Sequence, residues 1–141
     1  MNIEKTSSNE LLSEQADSYI NWGAGRAFAL GMLPPEHLKG VFTANEAYMF
    51  YRIGAIYNCK TDQKMLSTFI ACLGSGLARL MIGDMSATVR APICAGLTFA
   101  FGKATKAYFE SKMTLNDDEI RVKFAEGEQE AKRRTWNAID E

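Results

Sequence analysis

The sequence predicts an all-α protein, a compact bundle of about five helices built around a small-residue-rich helical hairpin, and three observations lead there. Apolar residues recur at the 3.6-residue helical spacing in segment after segment. Helix-start signals of the capping kind separate those segments. Alternation of the strand type never runs longer than four residues, and no internal repeat or low-complexity stretch interrupts the pattern.

In chain order, residues 1 to 8 read as a flexible polar tail, with 9–141 as a single helical domain. Leu11, Leu12, Ala16, Tyr19, Ile20, Gly23, Ala27 and Leu30 then keep a helical period. That first helix is expected to end between Gly31 and Pro34, because the Pro34-Pro35 pair biases the preceding residue towards extended geometry. Pro35 to Gly40 reads as one short turn. Thr43-Ala-Asn-Glu46 has the form of a capping box and predicts the start of a second helix, which carries Ala47, Phe50, Tyr51, Gly54, Ile56 and Tyr57 and runs out by Asn58 or Cys59.

The hairpin follows, from Lys64 to Met113. Thr61-Asp62-Gln63 is expected to cap its first arm, and Gly83 to Ser86 breaks the two arms. Ser86 or Thr88 caps the second arm, with Pro92 near its first turns, where a missing amide is tolerated. Asn116-Asp-Asp-Glu119 is another capping box and opens a last helix. Ile120, Phe124, Gly127, Ala131, Thr135 and Ala138 line one of its faces, and charged residues fill the other.

Glycine is the informative residue. Gly23, Gly25, Gly31, Gly54, Gly74, Gly76, Gly96, Gly102 and Gly127 all fall in segments that otherwise read as helix, while Gly40 and Gly83 read as turn residues. Each interior glycine costs a helix about 1 kcal/mol against alanine. Close approach of neighbouring backbones, with its dispersion energy, is the compensation expected. In the hairpin the small residues recur four apart, as in Ala71 with Ser75, Gly74 with Ala78, Ala91 with Ala95, and Gly96 with Ala100 and Ala104. That spacing places each set on one helix face.

Composition bounds the function. The chain has 141 residues and a formal net charge of -1, so it has no bulk positive field with which to recruit nucleic acid. Cys59, Cys72 and Cys94 are odd in number and far apart, which suits reduced buried thiols and a cytoplasmic compartment rather than a disulfide or zinc framework. The first residues lack the apolar core of a secretion signal. Met65 to Ile82 is 18 residues long and mostly apolar but contains Arg79. The partner run from Ala91 to Gly102 is only 12 residues long, too short to cross a hydrocarbon core of about 30 Å.

No motif carries chemistry. Gly96-Leu-Thr-Phe-Ala-Phe-Gly102-Lys103 imitates a phosphate loop, but five residues separate its glycines and Ala104 stands where Ser or Thr would hold magnesium. His37 is the only histidine and has Glu36 as its one local acid. A thiol nucleophile paired with it would need an activated cysteine, which nothing in the sequence marks. Lys132-Arg133-Arg134 follows Glu126, Glu128 and Glu130, a pattern that side-chain pairing along a solvated helix face explains, with a docking patch for an acidic partner as the alternative.

Tyr48-Met-Phe-Tyr-Arg-Ile-Gly-Ala-Ile-Tyr57, Phe69-Ile-Ala-Cys-Leu-Gly74 and Leu97-Thr-Phe-Ala-Phe-Gly-Lys-Ala-Thr-Lys-Ala-Tyr-Phe-Glu110 together resemble a bacterial family. It is the helical domain of unknown function often found C-terminal to Era-like GTP-binding domains, and also seen alone and in inner-membrane proteins. The most specific pieces are Tyr51 to Tyr57 and Gly102 to Phe109, within a likeness over about residues 30 to 130. The resemblance implies an accessory helical module linked to GTPases or membranes, with no catalytic residue to carry over. These 141 residues differ from the family's usual context in that they include no GTPase domain, and in Leu33-Pro-Pro-Glu-His-Leu38 where relatives carry a proline-rich acidic connection.

The resulting expectation is a non-enzymatic interaction or regulatory module, without cofactor or metal, acting with a GTPase partner. Tyr51, Arg52 and Tyr57 on the second helix, with Lys103 and Tyr108 on the hairpin's second arm, are the partner-binding candidates. The alternative is a peripheral membrane protein of the inner membrane whose apolar hairpin is shielded in solution.

Overall fold

In the computed structural model, which describes residues 2–33, 35–73 and 86–134, five α-helices account for the regular structure. They are α1 (Asn2–Leu30), α2 (Pro35–Ile56), α3 (Gln63–Leu73), α4 (Ala87–Glu110) and α5 (Asp117–Ala131). No described helix is long and apolar enough to cross a membrane. The Gly83 to Ser86 hinge, apart from Ser86, lies outside the described residues, as do Gly74, Gly76, Ser75 and Ala78 of the hairpin's first arm.

The second arm, α4, is the centre of the bundle. It packs against α1, α2 and α5, and α3 leans on α5. Phe99, Ala100, Phe101, Ala104 and Phe109 are all buried along it. An aromatic cluster joins the helices: the Phe50 ring lies 5.4 Å from Phe69 and 5.0 Å from Phe109, and Phe69 stands edge-on to Phe101 at 5.6 Å. Rings in such tilted arrangements contribute beyond the area they bury. Among the described residues α3 thus meets α4 through ring edges, while main-chain approach belongs to α4 with α1 and α5.

Two of the glycines make that approach possible. A methyl group placed on Gly31 would sit 2.7 Å from the Ala91 Cα, and one on Gly127 would sit 2.8 Å from the Ala100 Cα. Both obstacles are backbone, so neither contact can yield by turning a side chain. Gly31 therefore lets the end of α1 touch α4, and Gly127 lets α5 lie on α4's other side.

Four boundaries differ from the sequence reading. α1 begins at Asn2, so residues 2–8, expected as a flexible tail, are its first turns; no Gly or Pro precedes Gly23 to stop helix propagation. α2 begins at Pro35 rather than Thr43, with a proline at the first helical position, where its missing amide costs nothing. Gly40 and the supposed capping box Thr43 to Glu46 are consequently helix interior. Asp62, not Thr61, caps α3, its Oδ1 accepting from the Met65 amide at 2.8 Å. α4 stops at Glu110, three residues short of Met113, where Lys112 and Met113 both take left-handed φ values of 60° and 65°.

Other boundaries fall as read. Asn58, at φ 57°, ends α2 in a left-handed turn closed by the Cys59 amide on the Gly54 carbonyl at 2.9 Å, a helix end that Asn tolerates. Ser86 holds the N-cap position of α4 without a side-chain cap bond. The Asn116 capping box is complete: Asn116 Oδ1 accepts from the Glu119 amide at 2.8 Å, and Glu119 Oε1 accepts from the Asn116 amide at 2.9 Å. Ile120, Phe124, Gly127 and Ala131 are the buried residues of α5, the face that the spacing predicts.

Candidate partner interface

Helical spacing builds the site. Tyr19, Trp22 and Arg26 recur at three and four residues along α1, and Asn45, Tyr48 and Arg52 at three and four along α2. The two helices pack side by side, which brings these rows together at their shared surface. Asn45 fastens the seam. Its Nδ2 donates to the Gly23 carbonyl at 3.0 Å, and its Oδ1 accepts from Arg26 Nε at 3.1 Å.

Above that fastening, cations and rings alternate. The Arg26 guanidinium lies 5.4 Å from the Tyr48 ring centre, Arg52 lies 6.0 Å from the same ring and 5.2 Å from the Tyr19 ring, and the two tyrosine rings are 6.3 Å apart. Each guanidinium sits where the electron-rich face of a ring attracts it. Arg52 also donates from both Nε, at 3.1 Å, and Nη2 to the Tyr19 hydroxyl. That bond, together with the charge effects of Tyr19 and Tyr48, raises the arginine's already high pKa further. Arg26 Nη2 is buried and has no hydrogen-bond partner.

The assembly faces outward. Tyr48 is 48% exposed and Trp22 49%, and Arg52 is exposed. Among the described residues no carboxylate pairs with Arg26 or Arg52, whereas Lys103 and Lys106 share Asp17 on another face of α1. The row Arg26, Tyr48, Arg52, Tyr19 is thus a positively charged, aromatic-walled strip on a chain whose net charge is -1.

The structure separates the five residues singled out from sequence. Arg52 belongs to the strip. Its neighbour Tyr51 is half-buried and stands edge-on to Phe50 at 5.9 Å. Tyr57 is buried at the end of α2, its hydroxyl donating to Glu110 Oε2 at 3.2 Å and its carbonyl accepting from Lys112 Nζ at 2.7 Å. Burial, and after it the Glu110 carboxylate, push the Tyr57 pKa up, so its hydroxyl stays protonated and fastens α2 to α4. Tyr108 is half-buried between Phe69 and Phe109, at 5.5 and 5.3 Å, and burial raises its pKa as well. Lys103 lies 3.4 Å from Asp17 and 5.3 Å from the Phe99 ring centre, joining α4 to α1. Tyr57 and Lys103 hold helices together, and only Arg52 stands in a surface constellation.

Sequence reasoning missed Tyr19, Trp22, Arg26 and Tyr48 as members of one site. Their spacing within each helix was visible, but the pairing of the two rows needs the α1–α2 contact. Burial pushes the Cys94 thiol up to about 11 and raises Cys72 above its ordinary value, the reverse of what a nucleophilic cysteine requires. Comparison with known proteins found no family model, no curated protein and no solved structure that matches this chain.

Proposed function

We propose that this chain is a non-enzymatic helical interaction module and that the strip of Arg26, Tyr48, Arg52 and Tyr19 is the face it offers to a protein partner. One observation supports this above the others: two guanidiniums lie against the exposed Tyr48 ring, one of them also against the half-buried Tyr19, and among the described residues no carboxylate pairs with either. Arginine and tyrosine are among the residue types that concentrate binding energy at interfaces, because each buries a large area and keeps a polar end. The resemblance of Tyr51 to Tyr57 and Gly102 to Phe109 to modules that accompany Era-like GTP-binding domains supports a GTPase as that partner.

The test is affinity capture with the tagged full chain from its native cell, in GTP and in GDP, beside an Arg52→Ala chain. A GTP-binding protein retained by the wild type and lost by Arg52→Ala is the expected outcome. Equal capture by both chains removes the strip from the interface, and the absence of any GTP-binding protein removes the GTPase. Flotation with liposomes in place of protein capture would instead favour a peripheral membrane role.

A further inference from the structure

Arg52 makes an unusual hydrogen-bonding arrangement. Its Nε and Nη2 form the side-on fork that ordinarily meets the two oxygens of one carboxylate. Here both prongs converge on a single neutral oxygen, the Tyr19 hydroxyl. A phenol oxygen carries no formal charge and offers poor geometry to two donors at once, so the fork is held in place and only partly satisfied. Its guanidinium carbon lies 5.2 Å from the Tyr19 ring centre and 6.0 Å from that of Tyr48, within reach of both rings at the surface. Beside it, Arg26 spends Nε on Asn45 and leaves Nη2 without an acceptor. At the surface the strip therefore offers the Arg52 fork with, among the described residues, no oxyanion to meet it, while its aromatic walls supply contact area.

Building on the reading of this strip as the partner face, we propose that its occupant is an acidic protein segment. One carboxylate of that segment displaces the Tyr19 hydroxyl from the Arg52 fork, and Arg26 supplies a second positive charge alongside. Charge complementarity argues for this occupant: the strip carries two cations and no described acid, in a chain with a net negative charge. The aromatic flanks argue for a peptide rather than a bare anion. Tyr48 and the exposed Trp22, one helical turn from Tyr19 and Arg26, are suited to cover apolar side chains beside the acid.

The mechanism makes an opposite prediction for two variants. Tyr19→Phe keeps the ring beside the guanidinium but removes the competing oxygen, so it should bind the acidic segment several-fold more tightly than the wild type. Arg52→Lys keeps the charge but loses the fork, and should bind about tenfold more weakly, because a lysine ammonium cannot make the two parallel bonds.

The probe is an alanine-based helical peptide with glutamate at every fourth position, compared with the same peptide carrying glutamine. Binding is followed by nuclear magnetic resonance on the full chain, reading the Arg52 Nε–H and Trp22 indole N–H signals. Circular dichroism verifies that each variant remains folded. The expected result is movement of both signals with the glutamate peptide and not the glutamine one, strengthened in Tyr19→Phe and, read at the Trp22 indole, weakened in Arg52→Lys. Equal response to both peptides, or equal affinity in Arg52→Lys, overturns the proposal. So does movement with inorganic phosphate or with phosphatidylglycerol vesicles while the peptide has no effect. If Arg52→Ala abolishes partner capture but the carboxylate dependence is missing, this inference fails and the interaction-module reading stands. If Arg52→Ala captures as well as wild type, the reading itself fails.

Discussion

Arg90 and Glu46 are both buried, and their surroundings treat them in opposite ways. Arg90, on the first turns of α4, donates from Nε to the Gly31 carbonyl at 2.9 Å and from Nη2 to the Leu33 carbonyl at 2.6 Å. Those carbonyls lie where α1 ends and the helix has no amides left to give them, and the positive charge also suits the negative end of the helix dipole. Glu46, on α2, is 1% exposed, and neither of its carboxylate oxygens has a hydrogen-bond partner. Burial pushes its pKa up to about 8. The same act of burial thus turns one side chain into a fastening and holds the other as a neutral acid. What separates them is whether unsatisfied backbone groups happen to lie within reach.

The comparison breaks most sharply at Arg90. Replacing it with alanine removes two charge-assisted hydrogen bonds, each worth about 1.5 to 3 kcal/mol, and leaves buried carbonyls without donors. Urea unfolding of Arg90→Ala should therefore show a loss on the order of 3 to 5 kcal/mol. A loss below about 1 kcal/mol would mean that the α1 end finds other donors and that Arg90 fastens nothing.

For Glu46 the effect depends on pH. Its folded pKa lies above the unfolded value of 4.5, so the folded state keeps a proton that the unfolded state releases. The stability it permits is full below 4.5, falls as pH rises through the interval, and is lost above about 8. Each pH unit within the interval corresponds to about 1.4 kcal/mol, so the whole span is on the order of 5 kcal/mol. Glu46→Gln cannot titrate and should flatten this slope, overtaking the wild type in stability at alkaline pH. Parallel pH profiles for the two proteins between pH 5 and 9 would show that the carboxyl is not held neutral.

The smallest effect contrasts two glycines. Gly31→Ala pushes a methyl into the Ala91 backbone and should destabilise by about 1 to 3 kcal/mol, as overpacking does. Gly40 lies within α2 with nothing within 4 Å of an added methyl, so Gly40→Ala should stabilise by up to about 1 kcal/mol. Thermal melts of the two variants should shift in opposite directions; a shared direction would deny that glycine serves different ends at the two positions.

Glu46 also shows how local patterns mislead. Thr43 and Glu46 have the spacing of a capping box, and so do Asn116 and Glu119, yet only the second pair caps a helix. Before Asn116 the chain leaves α4 through the left-handed Lys112 and Met113, so a new helix must start there. Before Thr43 a proline at the first helical position has already started α2, and the box letters fall mid-helix. The recurrence of Ile120, Phe124, Gly127 and Ala131 was legible because burial there follows one helix's own period. Arg52 was singled out from the sequence and is exposed, but its neighbours Tyr19, Tyr48 and Arg26 were not legible as one cluster, because they come from a second helix and a different turn.

By itself the sequence determined that this protein is helical, that α5 opens on Asn116, and that some of its glycines would bring backbones together. All of these depend on residues within a few positions of one another, where the helical repeat fixes the geometry. Only the tertiary structure decided which helix stands at the centre, which buried charge finds partners, and that two arginines share the rings of Tyr19 and Tyr48. Those outcomes depend on how separate helices are rotated and set against each other, and no spacing along a single helix records that.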